Sequence, residues 1–145
     1  MAKLNATRQA QYPLTAEFTF SFDDTMVNVA GALDGFATVG SHVFDVINLP
    51  AFATVLSGDV TTETAVTGAT AYNVSVGDSA SATRYLGVTN KVAAGITSLV
   101  PTGYLGAGEN IRLTVAPTVG TATAGKVTLR VTYVIRGRGN EVQAS

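Results

Sequence analysis

Near its C-terminal end the chain runs GKVTLRVTYVIRG, Gly125 to Gly137, with apolar and polar residues alternating almost throughout. Successive side chains of an extended strand point to opposite faces. Val127, Leu129, Val131, Tyr133 and Ile135 therefore share one face, and Lys126, Thr128, Arg130, Thr132 and Arg136 share the other, with Val134 breaking the pattern. Such a strand spans roughly 35 Å and suits the middle of a sheet.

The same period recurs upstream. After Pro13, Leu14, Ala16, Phe18, Phe20 and Phe22 alternate with Thr15, Glu17, Thr19 and Ser21, which predicts a strand. Asp23-Asp24 supplies turn chemistry, and a short apolar piece from Met26 to Ala30 leads into a Gly-punctuated loop through Gly40. Further strands are expected at His42–Asn48, ending before Pro50, and at Ala53 to about Val66. The latter is read as one strand with a bulge at Gly58-Asp59 or as two short ones. Tyr72, Val74 and Val76 alternate up to a stop at Gly77-Asp78, and Arg84–Thr89 and Ile96–Val100 are weaker candidates. Ile111, Leu113 and Val115 form a strand that Pro117 is expected to close, and it should pair with the terminal strand as an antiparallel hairpin. Helical spacing is lacking, although Lys91–Leu99 has room for one turn. About eight strands with turn signals and no alternating helices predict an all-β, antiparallel β-sandwich, jelly-roll-like, preceded by an extended N-terminal arm over residues 1–12. Residues 13–145 are read as a single β-sandwich domain.

Composition sharpens this picture. The 145 residues suffice for one core without staples, and none is cysteine, which excludes disulfides and thiolate metal sites. Thr and Val make up roughly a quarter of the chain, as a strand-rich protein requires. Only 13% of residues are charged, against a usual share of about 25%. A net charge of -1 provides no field that would steer the protein to nucleic acid or an anionic membrane. The first twelve residues lack the apolar run of a secretory signal, so the chain is expected to begin near Met1 and to be soluble where it is made.

Candidate chemistry is thin. Gly120 to Lys126 satisfies G-x-x-x-x-G-K, but Val127 stands where a phosphate-binding loop needs Ser or Thr and a strand follows where it needs a helix. Gly77-Asp78-Ser79 resembles the nucleophile block of GDS-type esterases. The only histidine, His42, lies upstream without the downstream Asp-x-x-His partner, so a turn capped by Asp78 is the preferred account. His42 alone does not make a zinc or iron site. Asp23 with Asp24, and Asp59 with Glu63, are the nearest carboxylate pairs, and nothing in their spacing gives them a shared cleft, so they are read as turn residues. Tyr85, Tyr104 and Tyr133 are candidates for stacking on a sugar or base, with core packing the preferred reading. No catalytic residue, cofactor or metal is expected. Lys3, Arg8 and Tyr12 in the arm, and Arg136 and Arg138 past the terminal strand, are the candidate partner-binding residues, since Arg presents a planar fork to carboxylates and carbonyls.

The polar arm, the Thr/Val/Ala/Gly-rich strands, the lack of Cys and Trp, and the closing KVTLRVTYVIRGRGNE together resemble the small structural proteins of tailed-bacteriophage heads, in particular capsid cement or decoration proteins with a jelly-roll or related β fold. The resemblance implies a protein without enzyme activity or cofactor. Such a protein binds the outer surface of the virion capsid as a homodimer or homotrimer and clamps neighbouring major capsid subunits. A tail, fibre or baseplate component is the alternative in the same setting. A carbohydrate-binding β-sandwich module and an enzyme using Ser79 are alternatives from other classes.

Overall fold

The structure is a computed structural model that describes residues 13–136. The expected arm, with Lys3, Arg8 and Tyr12, lies outside the described residues, as does Arg138.

Among the described residues ten strands follow one another: β1 (Leu14–Ser21), β2 (Thr25–Val27), β3 (Leu33–Gly35), β4 (His42–Ile47), β5 (Ala53–Thr67), β6 (Ala71–Gly77), β7 (Leu86–Asn90), β8 (Gly95–Ser98), β9 (Ile111–Thr118) and β10 (Ala124–Ile135). Eight of them build two four-stranded antiparallel sheets ordered β1-β10-β5-β8 and β4-β9-β6-β7, and β2-β3 stands apart as a short hairpin. With that hairpin set aside, the body strands in chain order lie first, eighth, third, sixth in one sheet and second, seventh, fourth, fifth in the other. Successive strands thus wrap back and forth across one core, which is the jelly roll. The expected count of about eight holds for the body and omits the hairpin. No described residue is helical, including those around Lys91, so the described residues hold no helix long and apolar enough to cross a membrane.

β10 lies between β1 and β5, as its length and alternation require. Val127, Leu129 and Val131 are buried against Phe20, Val60 and the facing sheet's Val74, Val76, Leu113 and Val115. β5 is a single strand, with register shifts beside Leu56 and Glu63. Gly58 does not interrupt it. The residue pairs with Val131, and a Cβ there would meet the Arg130 carbonyl and stand 2.6 Å from Leu99 Cδ1, so glycine lets Leu99 cover the sheet.

Two sequence-based expectations are corrected. β9 and β10 do not form a hairpin: β9 pairs with β4 and β6, β10 with β1 and β5, and residues 119–123 carry the chain from one sheet to the other. Both strands have apolar inward faces, and these faces oppose each other across the core instead of extending one sheet. Nor does Pro117 close β9, which continues to Thr118 with Pro117 opposite Tyr72. The missing N–H costs nothing there, because Tyr72 N turns away to Asn90 Oδ1 and β4 has not yet begun on the other flank.

The segment between β3 and β4, which has a loop's composition, supplies the side chain that closes the sandwich. Phe36 is 1% exposed, with its ring centroid 4.3 Å from that of Phe20 on β1 and 4.5 Å from that of Phe44 on β4. Its carbonyl accepts a 2.7 Å hydrogen bond from the buried Tyr72 hydroxyl, whose pKa burial raises well above the ordinary tyrosine value. Tyr72→Phe leaves that carbonyl without its partner and is expected to cost about 1–3 kcal/mol, readable as a lower urea midpoint at unchanged m. A loss below about 0.3 kcal/mol would show that water replaces the hydroxyl.

Candidate functional site

Leu14 at the start of β1 pairs with Tyr133 near the end of β10, so the first and last described strands meet at the same end of the sandwich. Arg136 marks this terminal end. Its backbone N–H donates to Phe52 O at 2.8 Å, its side chain is exposed, and it makes no ion pair with a described residue. Phe52 has φ 66°, a left-handed conformation that a bulky side chain rarely adopts, and its ring is exposed.

Most of the other singled-out residues have structural partners. The Asp78 carboxylate is buried and accepts N–H bonds from Ala80 and Ser81 at 2.9 Å each, and it also receives the Arg84 guanidinium. Arg84 in turn lies 3.6 Å above the Tyr104 ring, and the Tyr104 hydroxyl donates to Glu109 Oε1 at 2.6 Å. The cluster fastens residues 78–84 to residues 104–109, so the Gly-Asp-Ser triplet is a pinned turn with Ser79 on its exposed rim. Gly77 is required there, because a Cβ would be driven into the backbone of Ser81 and Ala82. Tyr85 is buried beneath the turn, and burial pushes its pKa up to about 12. Tyr133 is half-buried on the inward face of β10, so Tyr85 and Tyr133 pack while Tyr104 has its ring face taken by Arg84.

His42, at the opposite end, is nearly buried. Nε2 donates to Thr38 O at 2.8 Å, and Nδ1 lies 2.8 Å from Asp34 Oδ1. Asp34 also accepts from Asn28 Nδ2 and from Gly35 N, and the His42 bond is the main reason its pKa lies below the ordinary carboxylate value. These bonds fix the β2–β3 hairpin to β4. A depressed carboxylate pKa adds stability above the unfolded value near 3.8 and loses it as pH falls through the lower folded value. The stability difference between the parent and Asp34→Asn is therefore expected to shrink below about pH 4, and thermal melts across the acid range check this. A difference independent of pH would remove Asp34 from the linkage.

Asp24 Oδ2 accepts Ser21 N at 2.7 Å, a turn cap, whereas Asp23 is exposed without an ion-pair partner among the described residues. Asp59 and Glu63 lie on the outward face of β5, and each meets a cation of β10: Arg130 at 3.3 Å and Lys126 at 3.4 Å. Arg130 also reaches Glu17 on β1, and Thr19 Oγ1 lies 2.9 Å from Thr128 Oγ1, so the outer face of this sheet is internally paired. Lys126, the last residue of the phosphate-loop pattern, stands on β10 rather than at a helix start.

Neither a protein-family model nor a curated protein matches the sequence. Solved structures do match. A chain of the Cyanophage Pam1 capsid asymmetric unit superposes with TM-score 0.62 and 24% identity, over 92% of this chain and 94% of that one. A chain of the acid-stable capsid of Helicobacter pylori bacteriophage KHP30 gives 0.58 and 18% over 85% and 87%, and one of the Ralstonia phage GP4 capsid gives 0.58 and 13% over 92% and 91%. The chain shares their fold.

Sequence reasoning missed the exposed apolar side chains. Val27 and Leu33, directly opposite each other on β2 and β3, are exposed, as are Val29, Val39 and Val119 at the same end of the sandwich. Val119 is 76% exposed at φ 52°, an outlier for a β-branched residue. Turn-rich surroundings concealed these positions.

Proposed function

We propose that the protein is a non-enzymatic structural component of a phage virion, made in the host cytoplasm. It binds the outer surface of the capsid as an oligomer and stabilises contacts between major capsid subunits. The observation that carries this reading is the match of the whole jelly roll, over 85–92% of the chain, to chains of three phage capsids. Paired charges over the body and uncovered apolar residues at its ends support assembly with protein partners, since the core of such interfaces is poor in charge. Residues 1–12 act as an arm on a single domain comprising 13–145. Lys3, Arg8, Tyr12, Arg136 and Arg138 contact a capsid subunit or a neighbouring copy at the end from which both termini leave. Nucleic acid, membrane and cofactors play no part in this binding.

Cosedimentation of the purified protein with capsids lacking it, together with labelling in electron micrographs, tests the reading. Saturable binding with label over the shell is expected, while label confined to tails would overturn the capsid assignment. Light scattering at micromolar concentration is expected to report an oligomer, because self-association covers edge strands and apolar surface. Deleting residues 2–11, or replacing Arg136 and Arg138 by Ala, is expected to leave the melting temperature within about 2 °C of the parent and to weaken cosedimentation. Variants that bind like the parent would remove the chain ends from the interface.

A further inference from the structure

We infer that the loop end of the sandwich, opposite the end that carries Leu14 and Arg136, is a second docking surface, and that it takes a protein surface that is apolar at its centre and rimmed by lysine or arginine. The inference deepens the proposed function and rests on it.

Three observations meet at this end. Val27, Val29, Leu33, Val39 and Val119 are all exposed there, and the segments that carry them are joined by the bonds Ala122 N to Ala37 O and Val29 N to Val43 O. The apolar pair Val27 and Leu33 is held rigidly. Asn28 Oδ1 accepts from Ala30 N and Ala32 N, and Asp34 ties the hairpin to His42, so little ordering is needed when a partner arrives. Val119 keeps a strained backbone conformation with its side chain in water, an arrangement that the core does not use.

Charge selects the partner. Every lysine and arginine of β1–β10 and their connections is engaged within the body: Arg84 with Asp78, Arg112 with Asp45, Arg130 with Glu17 and Asp59, Lys126 with Glu63, and buried Lys91 with Gly95 O and Thr97 Oγ1. The exposed carboxylates without a cation among the described residues include Asp23 and Asp24, which flank the apolar patch. Residues 21–41 contain no lysine or arginine at all. An acidic edge around an apolar centre is complementary to the reverse pattern on its partner. With β5 spanning about 50 Å between the two ends, a copy docked at both would bridge two subunits.

The test is cosedimentation with capsids lacking the protein, run with the parent, Leu33→Ser, the double change Asp23→Asn and Asp24→Asn, and Val119→Gly, with Val88→Ser on the β7 edge as a control. The three loop-end variants are expected to bind at least about tenfold more weakly, and Val88→Ser like the parent. Val119→Gly is the decisive variant: glycine relieves the positive φ, so it should melt at or above the parent's temperature while binding less. Raising salt should weaken the parent and affect the Asp double variant less. If the parent binds and the loop-end variants bind equally well, this inference fails and the proposed function stands. A parent that does not bind overturns both. If Leu33→Ser instead dissociates the oligomer in light scattering, the occupant is a second copy and the partner assigned here is wrong.

Discussion

Asp78→Ala is expected to destabilise the protein by about 3 kcal/mol, a fall of roughly 10 °C in melting temperature, while Ser79→Ala one residue on should stay within about 0.5 kcal/mol of the parent. The contrast follows from what each side chain touches. Asp78 is 2% exposed and holds two backbone N–H groups and the Arg84 guanidinium, so its removal leaves a largely covered cation and two donors without an acceptor. Arg84 would also lose the partner that holds it over Tyr104, freeing residues 104–109 from the turn. Ser79 is exposed on the rim. Denaturant titration of both variants decides the matter. Equal stabilities would mean that the turn is held by its backbone alone, and turnover abolished by Ser79→Ala would revive the nucleophile.

The other large effect is expected at Phe36→Ala, which should cost about 3–5 kcal/mol. Phe36 is the meeting point of an aromatic row: Phe20 stacks on it from β1, Phe44 lies against it from β4, and Phe18 follows at 6.5 Å. These rings close the open side of the sandwich, where β1 and β4 are edge strands of different sheets. A cavity at this point cannot collapse readily, because the sheets on either side are fixed by their ladders. The loss should appear as a lower melting temperature and urea midpoint, with faster hydrogen exchange in β1 and β4. Exchange confined to residues 36–41 would mean that the row belongs to the loop and not to the core.

The candidate surfaces were only partly legible. Arg136 stands out because it follows a long strand, and the structure adds that β1 begins beside the end of that strand. Val27, Leu33 and Val119 do not stand out, because a valine in a turn-rich stretch has the same composition whether it is buried or bare. Asp78 illustrates the converse. Its capping role is local, written in Gly-Asp-Ser, and was readable, whereas the Tyr104 that covers Arg84 and completes the cluster comes from the separate β8–β9 connection.

By itself the sequence determined the β class, most strand positions and which face of the alternating strands β1, β6, β9 and β10 turns inward, because alternation with period two is a local property of the backbone. It also determined that β10 is central, since only a strand flanked on both sides needs such length and such an apolar inner face. Tertiary structure alone decided which sheet each strand joins. β9 and β10 carry the same apolar code toward the core whether they pair side by side or face each other, and only packing of all eight strands selects the second arrangement. The same holds for Pro117, tolerated because its nitrogen faces the flank where β4 has not yet begun and no ladder bond is required of it, and for Phe36, a loop residue that becomes core because two sheet edges converge on it.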